Sequence, residues 1–206
     1  MTRLLAVSLL VIASFAHAQA PFPPPEPTSP RGPYAGVLLG SSEAKPGCVG
    51  VLAGGDRNCD ATDLAFGVFA GAQFHRFFAA EVGYVNFGEM KANSAGPASA
   101  ATQSVSADAF DLALLALLPL DALLETPNSR VSFFLRGGGY HARLSTTVGG
   151  VPDSTNNGFM YGGGVQYDIT QKIGVRALFQ RYKRVGRDPF ENNNYDLLGI
   201  SALYRF

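Results

Sequence analysis

From residue 33 to residue 206 the chain repeats one pattern: segments of about ten residues with period-2 alternation, each closed by turn residues. Alternation sends successive side chains to opposite faces of a strand, so it fixes which residues share a surface. Eight such segments are read, at 33–42, 63–75, 78–89, 105–119, 130–145, 158–169, 172–185 and 195–206. No stretch after Tyr34 carries a helical period, and the longest apolar run, Leu112 to Leu118, stops at Pro119. The connections alternate in length. Short ones fall at Arg76, from Asp121 to Ser129 and at Thr170 and Gln171. Long ones cover the Cys48–Cys59 region, 90–104, Thr146–Asn157 and Gly186–Asn194.

Composition narrows the solvent. Only 16% of residues are charged, against roughly 25% in soluble domains, and the formal net charge is +0. That balance removes the electrostatic footprint of a nucleic-acid binder. With 24 Gly, 15 Phe and 8 Tyr, two readings remain: a compact soluble β protein, or a β protein bathed in lipid.

The N-terminus decides the compartment. Arg3, the apolar run Leu4 to Ala16 and the small residues of Ala16-His17-Ala18 make residues 1–18 an export signal, with Ala20 as the competing cleavage site. Residues 19–33 hold seven Pro and read as an extended linker. Export places Cys48 and Cys59, the only two cysteines, where thiols pair; a bridge between them is expected, with two free thiols as the alternative.

An even number of strands with alternately short and long connections marks an outer-membrane barrel. In hydrocarbon every backbone polar group needs an internal partner, so the sheet must close on itself. The fold expected for 34–206 is therefore an all-β, eight-stranded antiparallel up-and-down transmembrane barrel. Leu64, Phe66, Val68, Ala70, Ala72 and Phe74 share one parity, as do Leu198, Ile200, Ala202, Tyr204 and Phe206; these faces are assigned to lipid. Tyr84, Tyr167, Phe179 and Tyr204 fall on the lipid parity as candidates for the aromatic girdles.

The segment AFGVFAGAQFHRFFAAEVGYVNFGEM (65–90), the segment YGGGVQYDITQKIGVRALFQ (161–180) and the ending Tyr204-Arg205-Phe206 resemble the OmpA-like family of small outer-membrane barrels. The likeness runs from about Tyr34 to Phe206. It implies periplasmic termini, long surface loops, and Tyr204 and Phe206 as a signal read by the outer-membrane assembly machinery. The peptidoglycan-binding domain of many relatives is not carried over, because the chain stops at Phe206.

By parity and resemblance, Glu81, Asp111, Arg136 and Arg176 point into the lumen, with Gln73, Gln166 and Gln180 on the same face. In relatives, matching acids and bases form a switchable ion-pair gate. Here Gln166 stands where they carry an acid, Leu115 where they carry a lysine, and Leu38 where they are basic. A static plug that satisfies its own buried charges is the expected reading. His141 with Ser145 is the one pair that suggests an enzyme acting on lipid, and no orienting carboxylate accompanies it. Asp56-x-Asn58-x-Asp60 imitates the front of a calcium loop but lacks its glycine and its closing glutamate. Arg181, Lys183, Arg184 and Arg187 are candidates for contact with lipopolysaccharide phosphates, with a solvated strand end as the alternative.

The function expected is a structural or surface-interaction protein of the Gram-negative outer membrane, monomeric, without catalytic residues, metal or cofactor. Its partners are outer-membrane lipid and lipopolysaccharide, the assembly machinery and a surface ligand held by the loops, with no nucleic acid. A narrow gated pore is the alternative, and an enzyme of outer-membrane lipid a more distant one.

Overall fold

Strand by strand, one parity of side chains is exposed and the other buried. In β3 (Thr62–His75) Leu64, Phe66, Val68 and Phe74 are exposed while Ala65 is buried. In β9 (Asn193–Arg205) Leu198, Ile200 and Tyr204 are exposed while Leu197, Ser201 and Leu203 are buried. An exposed face built from Leu, Ile, Val and Phe is the reverse of a soluble sheet, and suits a surface solvated by hydrocarbon. Tyr167, Phe179 and Tyr204 are on this outer face, and Tyr84 shares its parity, half-buried against Phe110.

The computed structural model describes residues 32–45, 58–93, 102–124, 129–146, 153–185 and 193–206. Besides β3 and β9 the strands are β1 (Gly32–Lys45), β2 (Asn58–Asp60), β4 (Phe78–Asn93), β5 (Thr102–Pro119), β6 (Val131–Thr146), β7 (Ser154–Asp168) and β8 (Ile173–Val185). Each long strand pairs antiparallel with the next, and β1 pairs with β9 to close an eight-stranded up-and-down barrel.

The register fixes the dimensions. Partners followed once around run from Tyr34 through Gly71, Glu81, Ala113, Gly138, Met160, Tyr182 and Tyr195 to Ala44, ten residues further along β1. With strand spacing near 4.8 Å and a rise of about 3.3 Å per residue, that stagger sets a tilt of about 40° and a backbone radius of about 8 Å. Each residue then climbs roughly 2.5 Å along the axis, so the stretch from Leu64 to Phe74 covers a hydrocarbon layer of about 25 Å. An interior of this radius is filled by side chains.

Three local features depart from the sequence reading. The long strands continue past the expected ends at the long-connection side, so that 90–93, 102–104 and 154–157 are strand rather than loop. Cys59 lies in β2, which extends the edge of β4 through Asn58↔Asn93; three residues are too few to show a period. The expected turn after Pro119 is a one-turn helix, α1 (Leu120–Leu124), where proline ends the ladder and Asp121 Oδ1 accepts from Ala122 N–H. The signal at 1–18, most of the linker, Cys48, Asp56 and Arg187 lie outside the described residues. β1 already begins at Gly32, inside the stretch read as linker.

Two bulges shape the long-connection end. Between Asn86 and Glu89 the register shifts around Gly88, at φ +77°, where Asn86 Oδ1 accepts from Gly88 N–H and Asp63 Oδ2 accepts from Glu89 N–H. The second lies between Tyr182 and Val185, where Arg184 takes φ +62°. Both ends of the barrel chain, Gly32 and Phe206, sit at the opposite, short-turn end, with Phe206 N–H donating to Pro33 O.

Candidate functional site: the barrel lumen

The inward parity places Glu81, Asp111, Arg136, Arg176, Gln166 and Gln180 in the lumen, all buried, with Gln73 half-buried near the short-turn end. Glu81 is the hub. Its Oε1 accepts from Tyr34 Oη at 2.7 Å and from Arg176 Nη1 at 2.6 Å, and its Oε2 lies 3.3 Å from Arg136 Nε. Arg136 Nη2 donates to Asp111 Oδ1, whose Oδ2 accepts from Tyr182 Oη at 2.9 Å. Two acids therefore meet two bases, and two tyrosine hydroxyls complete the carboxylates' coordination.

The network continues toward the short-turn end. Arg176 Nε donates to Gln166 Oε1 at 2.8 Å, and Gln166 Nε2 donates to Asp168 Oδ1 at 3.0 Å. Asp168 Oδ1 also accepts from Arg205 Nη2 at 2.7 Å. The Arg176 guanidinium lies against the rings of Tyr34, Phe69 and Phe134, 5.2–5.5 Å from their centroids. Glycine makes room: a Cβ on Gly71 would come within 2.8 Å of both Glu81 Cγ and Tyr34 Cζ, so this residue lets the two side chains meet.

Above the ion pairs the lumen changes character. Phe87, Tyr140, Tyr182 and Tyr195 pack ring against ring with centroids 4.9–5.4 Å apart. Met160, Leu197, Ala109, Ala142 and Leu144 surround and overlie them, buried to 1% or less. Leu38, Leu115 and Leu117 also occupy inward positions and are buried. A cavity of about 30 Å³ remains beside Glu81, Asp111, Arg136, Arg176 and Ser201, room for one or two waters. Arg136 Nε and Ser201 Oγ, both lining it, have no hydrogen-bond partner among the described residues.

Other candidates are placed on the wall. His141 is exposed and its Nδ1 lies 2.7 Å from Asn157 Oδ1, an amide where a catalytic histidine would need a carboxylate. Arg181 makes a two-pronged ion pair with Asp196, which also holds Lys45 at 3.2 Å. Lys183 and Arg184 are exposed. At the long-connection end Arg143 donates to Asp153 Oδ2 at 2.7 Å and holds that carboxyl below the usual range.

The match that settles the family spans nearly the whole chain: residues 5–206 fit the outer membrane protein beta-barrel domain. The chain belongs to this family. As a member of the outer membrane beta-barrel family it is an outer-membrane protein, and the apolar outer face is its lipid contact. Among solved structures it is similar to Neisserial surface protein A, at 17% identity over 85% of this chain and 97% of that one, with TM-score 0.59. The N-terminal barrel of Pseudomonas aeruginosa OprF follows at 11% identity, 85% and 98% coverage and TM-score 0.52. AlkL, solved in lipid bilayers, is 13% identical over 91% and 96%, with TM-score 0.51. These likenesses concern the fold. No curated protein sequence matches the chain.

Reasoning on sequence left Tyr34, Tyr140, Asp168 and Tyr182 out of the lumen set. Tyr34 shares the parity of Leu38, Tyr140 that of Arg136, Asp168 that of Gln166 and Tyr182 that of Gln180, so alternation alone places all four inward. Ser201 and Arg205 stand on the inward parity of β9 as well, and both are buried.

Proposed function

We propose that the protein is a structural or surface-interaction barrel: a plugged wall element that holds long loops at the cell surface, with both chain ends in the periplasm. The observation that supports this best is the filled lumen. Each lumen arginine already faces a carboxylate, Arg136 with Asp111, Arg176 with Glu81 and Arg205 with Asp168, and a close-packed aromatic and aliphatic layer caps them. A gate requires a free charge to switch to; Glu81 already holds Arg176 and Arg136 together, and Gln166, Leu115 and Leu38 are uncharged at positions where the resemblance implies a charge. Planar-bilayer recordings of the purified barrel test this. The plug predicts no conductance steps above baseline at any voltage, and discrete voltage-dependent steps support the alternative, a narrow gated pore.

An enzyme of outer-membrane lipid finds little support in His141 bonded to Asn157. Incubation with lipopolysaccharide should leave its acyl chains unchanged by mass spectrometry. The remaining partners, a surface ligand and the assembly machinery, and the bridge between Cys48 and Cys59 belong to the same proposal. Phe206 is exposed and packs edge-on against Tyr204 at 5.4 Å, at the end of the closing strand. Replacing it with a polar residue should cut outer-membrane levels several-fold and leave precursor in the periplasm; unchanged membrane levels would remove its role as an assembly signal.

A further inference from the structure

Strict alternation after Tyr182, which is buried, would turn Lys183 outward and Arg184 into the lumen. The bulge prevents this. Lys183 and Arg184 are both exposed, and Val185 takes the buried position instead. Holding a non-glycine residue at φ +62° costs conformational energy, and two neighbours enforce it: Asn194 Oδ1 accepts from Arg184 N–H, and Asn156 Nδ2 donates to Arg184 O. A bulge clamped from both adjacent strands is a device for re-aiming side chains.

The position is informative. Along the outer face of β8 exposed Val175 and Phe179 give way to Arg181 and Lys183, and Lys183 stands opposite exposed Phe159 of β7. The pair therefore lies where the hydrocarbon belt ends. The neighbouring acids are occupied, Asp196 by Arg181 and Lys45, and Glu43 by Lys45. Lys183 and Arg184 are thus two adjacent cations at the rim with no carboxylate partner among the described residues.

We infer that this bulge is a lipid-phosphate site: Lys183 and Arg184 grip the phosphate groups of a lipid A head group in the outer leaflet, with Phe159 against its acyl chains. Arg181, committed to Asp196, is not part of it. The inference rests on the proposed orientation, with the long connections outside. Antibody access on intact cells to a tag inserted at 147–152 tests that orientation separately.

The test uses the full mature chain in phosphatidylcholine nanodiscs containing lipid A, with retained lipid counted by native mass spectrometry. Lys183→Gln combined with Arg184→Gln should weaken retention roughly ten- to thirtyfold, as expected for two surface cations. Arg184→Gly keeps the bulge and removes one cation, so it should fall in between, with unchanged heat-modifiable mobility. Asn156→Ala with Asn194→Ala keeps both cations and loosens the clamp, and should also weaken retention. Equal retention by the double-glutamine variant overturns the site. So does equal retention of dephosphorylated lipid A, which would make the acyl chains the binding element. Displacement by millimolar inorganic phosphate would point to a small-ion site and likewise overturn it.

Discussion

Glu81→Gln is expected to lower the unfolding free energy of the barrel by about 3–5 kcal/mol, the loss typical when one partner of a buried ion pair is removed. The substitution keeps shape and removes charge. Arg176 is left with a neutral amide and Gln166, and the Tyr34 hydroxyl loses a charged acceptor. Arg136 is spared in part, because Asp111 remains. Urea unfolding in lipid vesicles, followed by heat-modifiable mobility, reads the difference. Combining Glu81→Met with Arg176→Met should recover much of the stability, since apolar replacement of a whole buried pair is often neutral. A loss below about 1 kcal/mol for Glu81→Gln would mean that water reaches the pair and screens it.

Ile200→Arg should cost about 2–4 kcal/mol in a bilayer, the range for a basic residue at mid-depth on the lipid face of a barrel. Ile200 stands exposed near the middle of β9, facing outward between Leu198 and Ala202. The same charge at Ser41, outward on β1 close to the long-connection rim, should cost about 0–1 kcal/mol, because the side chain reaches the head groups. The depth dependence carries the argument. Equal costs at both positions would indicate an outer face bathed by water.

Much of this could be read from the order of residues alone, for a physical reason. Parity is a local property, so Glu81, Asp111, Arg136 and Arg176 were assignable to the interior without knowledge of any neighbour. Pairing is not local. Glu81 and Arg176 lie 95 residues apart and meet only because the barrel closes with its particular stagger. The two-pronged contact of Arg181 with Asp196 also depends on the β8–β9 register, and it withdraws one residue from the basic cluster at the rim. Bulges defeat the counting itself: alternation sends Arg184 inward, and the inserted residue sends it out. α1 and β2 are too short for any period to declare itself.

That lipid surrounds the barrel's outer face is the claim on which the rest depends, and two adjacent residues test it. Phe133 is 42% exposed on the outer face of β6 and Phe134 is 2% exposed in the lumen. The chain has no tryptophan, so Phe133→Trp and Phe134→Trp each introduce a single fluorophore without background. In vesicles with brominated acyl chains, strong quenching of the tryptophan at 133 and weak quenching of that at 134 is the predicted result. Equal quenching of the two, or quenching of neither by lipid and of the outer one by aqueous iodide, would contradict it.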